Sequence, residues 1–85
     1  MESEQIPYSK NVARVESKDY WITAAEWNNT YGSSYEIGIR HKVTDAFELL
    51  QSGWNDRTVR IAALAVATLL DSDLTIQDVR DVLTP

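Results

Sequence analysis

The alternation of apolar and polar residues in the first half of the chain predicts a small antiparallel sheet. Apolar stretches flank the polar sequence ESKD at positions 16–19, which predicts a hairpin with strands near 12–16 and 20–22. In SYEIGIR the apolar residues fall on every second position from Tyr35, and a period of two is typical of a strand with one buried face. The rival interpretation of that stretch is a helix, which Gly38 would weaken by about 1 kcal/mol relative to alanine.

The segment between these strands favours a short helix at 24–31. Thr23 and Glu26 have the spacing of a capping box, and Gly32 stands where helices often end. The alternative is that the strand continues to Trp27 and that the chain turns at NNTYG.

Start signals in the second half predict three helices, over residues 45–52, 56–70 and 76–83. Thr44 and Asn55 are suitable N-caps for the first two. Thr75 and Asp78 form a capping box for the last one. The sequence therefore predicts an α+β fold, with a small antiparallel sheet followed by three helices.

The chain length predicts one domain. Residues 1–10 are polar and are expected to be a flexible tail before a single globular domain at 11–85. Hydrophobic residues make up 44% of the chain and charged residues 25%, which are values of a folded globular protein.

The predicted helix at 56–70 is apolar on more than one side. A first stripe, which includes Val59, Val66 and Leu70, is a normal core face. The other side has no charged residue between Arg60 and Asp71. Either the domain covers this helix all round, or its second side contacts a second copy of the chain. The residues expected in such a self-association are Ile61, Leu64, Ala65 and Thr68.

The formal net charge of −5 makes non-specific binding to DNA or anionic membranes unfavourable. Docking onto a basic surface of a protein partner is more consistent with this charge. We expect a cluster of carboxylates near the C-terminus to form that contact: Asp71, Asp73, Asp78 and Asp81. No apolar run approaches the roughly 18 residues of a membrane span, and the chain lacks cysteine, so we expect a soluble cytoplasmic protein.

The residues that usually perform chemistry are sparse. His41 is the single histidine, and no serine lies in a nucleophile context. The sequence DSDLTIQD begins like a calcium loop, but Ile76 and Val82 occupy the positions of the required glycine and glutamate. The three glycines are scattered and form no phosphate loop. We therefore expect no cofactor, no metal and no enzymatic activity.

Residues 23–42 also resemble a helix-turn-helix, with a capped first helix, a glycine turn and a second helix. The second helix would offer few groups to base edges, since it holds Tyr35, Glu36 and Arg40. A DNA-binding transcriptional regulator is therefore the alternative function, and direct binding to nucleic acid is the less favoured one.

Aromatic residues cluster in the first half. Tyr20 and Trp21 are adjacent in a predicted strand and must face opposite ways, so one of them lies outside the core. Because tyrosine and tryptophan are enriched at binding hot spots, we expect Tyr20, Trp21 and Tyr35 to mark a protein-binding face. The favoured function is a small acidic interaction protein, an inhibitor or adaptor. One concrete form is a phage-type inhibitor of a host complex that handles nucleic acid.

Overall fold

Four strands precede two helices in the computed structural model, which describes residues 8–29, 32–51 and 53–83. The elements are β1 (Tyr8–Glu16), β2 (Tyr20–Asn29), β3 (Gly32–His41), β4 (Phe47–Gln51), α1 (Asp56–Asp71) and α2 (Ile76–Leu83). The strands form one sheet in the order β1-β2-β3-β4, and each neighbouring pair is antiparallel. The α+β class, the N-terminal sheet and the last two predicted helices are confirmed.

The predicted helix at 24–31 is wrong, because β2 continues as a strand to Asn29. Ala24 lies opposite Ala13 on one side and Ile37 on the other, so β2 is a central strand with ladders on both edges. Ile22 and Ala24 are fully buried, which is what alternation in this strand produces. Pairing on both sides outweighs the local capping signal, since a capping box supplies only one turn of a helix.

The predicted helix at 45–52 is also wrong, because Phe47–Gln51 is the edge strand β4. The expected N-cap, Thr44, instead accepts a hydrogen bond from the backbone N–H of Ala46 inside the β3–β4 turn. Asp45 adopts a positive φ of 63°, which closes this turn. Leu50 then pairs with Ile37 and is buried, so this stretch extends the sheet by one strand and adds Leu50 to the core.

The core lies between α1 and one face of the sheet. The residues of α1 that pack there are Val59, Ala62, Ala63, Val66, Ala67 and Leu70. The buried sheet residues that face them are Ile22, Ala24, Ile37, Ile39 and Leu50. The second helix contacts α1, and its Val79 is fully buried. The described residues therefore share one core, with a sheet layer and a helical layer.

The first strand is tied to the helical layer at its irregular point. A register shift between Asn11 and Ala13 makes Val12 a bulged residue. The carbonyl of Val12 accepts a hydrogen bond from the Arg60 guanidinium at 2.6 Å. This contact satisfies an edge-strand carbonyl and orients α1 across the sheet.

Two further predictions concern the N-terminal tail and membrane-spanning segments. The strand β1 begins at Tyr8, and residues 1–7 lie outside the described residues, so the flexible tail stays a prediction. Within the described part of the chain, neither helix is both long and apolar enough to cross a membrane.

Both helices begin at capping boxes. The Asn55 side chain accepts hydrogen bonds from the backbone N–H groups of Arg57 and Thr58, each at 2.9 Å. The Thr75 hydroxyl accepts from the N–H of Asp78 at 3.1 Å, and the Asp78 carboxylate accepts from the N–H of Thr75 at 3.0 Å. The start signals identified in the sequence are thus the groups that cap the N-termini of these helices.

We predict that Thr75→Ala destabilises the domain by about 0.5–2 kcal/mol, because an N–H of α2 loses its acceptor. For a domain of this size each kcal/mol lowers the Tm by about 4–8 °C. Thermal unfolding followed by circular dichroism measures the change. The control is Thr68→Ala, because the Thr68 hydroxyl only donates to the Leu64 carbonyl of the preceding turn. Equal Tm values for wild type and Thr75→Ala would contradict the role of the cap.

Candidate interaction surface

The side of the sheet opposite α1 is covered by no other element among the described residues. We call it the open face. The register places its side chains in rows across the strands: Glu16, Trp21, Arg40 and Phe47; then Arg14, Thr23, Gly38 and Leu49; then Asn11, Ala25 and Glu36; and last Trp27 and Ser34. Alternation puts these residues on one side because Ile22, Ala24, Ile37 and Ile39 occupy the other.

A slot of about 270 Å³ lies on the open face. Its floor is made of small residues on the two central strands, Thr23, Ala25 and Gly38, and its walls include the rings of Trp27 and Phe47. Small residues between large rings leave room for a group that enters from outside. The slot is therefore the most concave part of the open face.

Gly38 is required by the close approach of the Phe47 ring. A Cβ atom at position 38 would lie 2.8 Å from Cε1 and 2.9 Å from Cζ of Phe47. The ring of this edge-strand residue thus folds inward over the neighbouring strand, while the side chain as a whole stays 49% exposed. An alanine at position 38 would push the ring away and change the shape of the slot.

Cationic groups lie on the rings of the open face. The Arg14 guanidinium is 4.0 Å from the centre of the Trp21 ring, and the Lys42 ammonium is 5.1 Å from the same ring. The Arg40 guanidinium is 4.7 Å from the centre of the Phe47 ring. Each contact contributes about 0.5–1 kcal/mol at an exposed site, and it fixes a charge at the edge of the slot.

The charged side chains of the open face differ in their ion pairs and in their exposure. Lys42 forms an ion pair with Glu16, and Arg40 forms one with Asp45 at 3.2 Å. Glu36 lines the slot and is only 6% exposed. Arg14 is exposed, and none of the ion pairs formed between described residues includes it.

Trp27 lines the slot and carries a buried polar atom. Its Nε1 is buried, and no group of the described residues accepts a hydrogen bond from it. A buried donor without an acceptor costs about 1–3 kcal/mol, and tryptophan N–H groups in protein interiors usually find a partner. The Trp27 N–H is therefore a polar group that the described residues leave without an acceptor.

The structure separates the three aromatic residues predicted for partner binding. Trp21 is half-buried on the open face. Tyr20 lies on the helical side, where it packs against the core and meets the His41 ring edge-on at 5.0 Å. Tyr35 also packs against the core from that side. These three residues therefore form no single surface, although the expected divergence of Tyr20 and Trp21 is seen.

Tyr35 has an internal partner instead. Its hydroxyl donates to a Glu26 carboxylate oxygen at 3.1 Å. Partial burial and this hydrogen bond raise the pKa of Tyr35, because the nearby carboxylate disfavours the phenolate. The Tyr35 side chain is thus engaged within the domain, on the helical side of the sheet.

Sequence reasoning missed most of the open face. Trp27, Phe47, Arg14 and Arg40 were not identified as binding residues. Their signal was the parity of the strands, since Trp27 is six residues from Trp21 in one strand and must share its face. The false helices at 24–31 and 45–52 hid this parity.

The four acidic residues near the C-terminus have different roles. Asp71 ends α1 and accepts hydrogen bonds from the Ser17 hydroxyl and the Lys18 N–H, each at 2.7 Å. Asp78 completes the capping box of α2. Asp81 accepts from the Gln77 amide at 3.1 Å, and Asp73 lies in the α1–α2 turn with a φ of 67°. Asp71 and Asp78 therefore stabilise the fold through these hydrogen bonds. Asp73 and Asp81 are exposed and have no such role, so they are the two carboxylates left to contact a partner.

The four residues predicted for self-association lie on the outer side of α1. Ile61 is 61% exposed and Leu64 is 58% exposed. Thr68 is exposed, and Ala65 is half-buried. The domain thus leaves this side of α1 uncovered, although α2 and the sheet cover the remainder.

The remaining candidate groups have structural explanations. The Nδ1 atom of His41 accepts hydrogen bonds from the N–H groups of Val43 and Thr44, each at 3.1 Å, so the ring organises the β3–β4 turn. No group of three potential metal ligands occurs within residues 8–29, 32–51 and 53–83. The helix-turn-helix resemblance of 23–42 has no helical basis, because these residues form β2 and β3.

No family model, no curated protein and no solved structure matches this chain. Its function must therefore be inferred from its own surface chemistry. The open face is the largest feature that the core of the domain does not explain, since it exposes apolar rings and side chains that contribute little to packing against α1.

We predict that the contribution of Asp71 to stability depends on pH. The hydrogen bonds from the Lys18 N–H and the Ser17 hydroxyl hold the pKa of Asp71 below its ordinary value of 3.8. A lowered pKa in the folded state gives stability that is present above pH 3.8 and is lost as the pH falls through the folded-state value. Asp71→Ala should therefore be less stable than wild type at neutral pH, and the difference should shrink in acid.

Urea unfolding on both sides of pH 3.8 measures this difference. Ser17→Ala removes one of the two donors and should reproduce part of the effect. A stability difference between wild type and Asp71→Ala that is constant across this pH range would contradict the assigned role.

Proposed function

We propose that the chain is a non-enzymatic protein-interaction protein, an inhibitor or adaptor that acts in the cytoplasm, and that the open face is its main binding surface. The observation that carries the proposal is a sheet face that no other described element covers and that holds three aromatic rings, two of them under guanidinium groups. Tryptophan and arginine are the residues most often found at the energetic centre of protein interfaces.

The chemistry of the open face supports protein binding over catalysis. Phe47 and Leu49 are 49% and 42% exposed, and they continue the apolar surface to the β4 edge. An apolar centre with charged groups around it is the usual composition of an interface. The polar groups on these rings are long cationic side chains. Such side chains can contribute to the affinity for a partner, and they form no reactive centre.

The acidic end is proposed as a secondary contact to a basic surface of the same partner. Asp73 and Asp81 are exposed, and unlike Asp71 and Asp78 they neither bind the β1–β2 turn nor cap α2. Charges of this kind mainly increase the rate of association. A phage-type inhibitor that blocks a host complex for nucleic acids is one form that this arrangement would suit.

The fold makes DNA binding a less favoured function than the sequence alone does. The predicted recognition helix does not exist, because residues 32–41 are a strand. The net charge of −5 opposes attraction to phosphates.

We predict that Trp21→Ala weakens binding to the native partner at least 30-fold, or about 2 kcal/mol. The substitution removes a half-buried aromatic anchor, and it also removes the ring on which the Arg14 guanidinium lies. The partner is first isolated by affinity capture from the source organism, and the affinity is then measured by calorimetry with purified components. The control is Arg57→Ala, which truncates an exposed side chain of α1 on the opposite side of the domain. Partner binding that Trp21→Ala leaves unchanged would rule out the open face as the main surface.

We further propose that two copies associate through the outer side of α1, because Ile61 and Leu64 are neighbouring apolar side chains that are both mostly exposed. Leu64→Glu should then convert a dimer into a folded monomer. Sedimentation velocity measures the mass, and circular dichroism checks the fold of the variant. A wild-type protein that stays monomeric at high micromolar concentration would contradict this assembly.

A further inference from the structure

We infer that the open face binds an acidic, extended segment of the partner, with carboxylates that reach Arg14 and Arg40. This inference rests on the proposed function and specifies the chemistry of the partner at the same surface. It follows from the hydrogen-bond donors and acceptors around the slot.

Arg14 is the first donor. Its guanidinium carbon lies over Trp21, 4.0 Å from the ring centre, and the residue is exposed. The ion pairs between described residues leave it out. A guanidinium that is fixed in position by a ring, with its N–H groups at the edge of a slot, is suited to bidentate binding of a carboxylate.

Arg40 is the second donor, on the other side of the floor. It is held on the Phe47 ring and pairs with Asp45, and the two side chains are 47% and 79% exposed. Ion pairs with this exposure are weak and are screened by salt. A partner carboxylate can therefore replace Asp45 without a large loss.

The charges at the slot favour a negatively charged ligand. The carboxylate that lines the slot belongs to Glu36, which is buried, whereas both guanidinium groups are exposed. An entering segment thus meets positive charge at the rim. Trp27 lines the same slot, so its indole signal reports whether the slot is occupied.

Polypeptide is favoured over nucleic acid by the positions of the cations. Binding of single strands uses the exposed faces of aromatic rings to stack bases. Here Arg14 lies over Trp21 and Arg40 lies over Phe47, so these two rings are already covered. A polyphosphate would also bring a negative charge for each nucleotide to a chain with a net charge of −5. A peptide with two or three carboxylates meets less repulsion.

The experiment uses the ¹⁵N-labelled full chain and the probe acetyl-Asp-Val-Asp-Val-Asp-amide. The indole N–H signal of Trp27, which lines the slot, should shift in a saturable way, whereas that of Trp54, which packs against the core from the helical side, should stay in place. Arg14→Gln should weaken the peptide at least tenfold. Arg57→Gln, which removes an exposed arginine of α1, is the matched control and should change the affinity less than twofold.

Three results would overturn the inference. The first is an equal response to the peptide in which asparagine replaces each aspartate, because carboxylates would then not be recognised. The second is tighter binding of a five-residue oligothymidine, which would identify the face as a surface for nucleic acid. The third is a shift of the Trp27 signal on simple concentration of the protein, which would identify a second copy as the occupant.

The fate of the proposed function is read separately. If Trp21→Ala abolishes binding of the native partner but the acidic peptide does not bind, only the acidic character of the segment is rejected. If Trp21→Ala leaves binding of the native partner unchanged, the open face is rejected as the main surface, and with it the inference.

Discussion

The packing of one long helix on one face of a four-stranded sheet determines the rest of this structure. The α1 helix has 16 residues and is about 24 Å long, which is enough to cross the sheet once. The second helix packs against α1 instead of reaching the other face. Strand alternation then leaves every second side chain of β2 and β3 on a face that no described helix packs against. The open face is a direct consequence of having one helical layer.

The open face is kept compatible with water by cations that lie on its rings. Arg14 and Lys42 cover Trp21, and Arg40 covers Phe47, so apolar ring surface is shielded by the stems and charged heads of long side chains. The same arrangement prepares the surface for binding, because the guanidinium groups are already positioned. A surface organised in this way loses less side-chain entropy when a partner arrives.

Local signals in the sequence predicted the helical layer well and the sheet only in part. Asn55 and Thr75 fix the starts of α1 and α2 by hydrogen bonds within four residues, so their effect can be read locally. Thr23 and Thr44 are equally good caps in isolation, yet Thr23 lies in a central strand and Thr44 in a turn. What decides there is pairing with residues far along the chain, such as Ile37 with both Ala24 and Leu50.

The candidate site follows the same division. Trp21 was identified from its residue type, and the outer side of α1 was identified from helical periodicity. The structure places Tyr20 and Tyr35 on the helical side, because residue type alone does not indicate a face. The slot was beyond local reasoning, since its lining comes from β1, β2, β3 and β4, and Thr23 and Gly38 become neighbours only when β2 pairs with β3.

The central claim is that the two faces of the sheet have opposite exposure, and paramagnetic relaxation by a soluble gadolinium chelate measures this most directly. Methyl signals of Leu49 should broaden about as strongly as those of Val82, since these residues are 42% and 63% exposed. Signals of Ile22 and Ile39, which are buried under α1, should remain sharp. Protection of Leu49 equal to that of Ile39 would show that the face is covered in the isolated protein and would contradict the account.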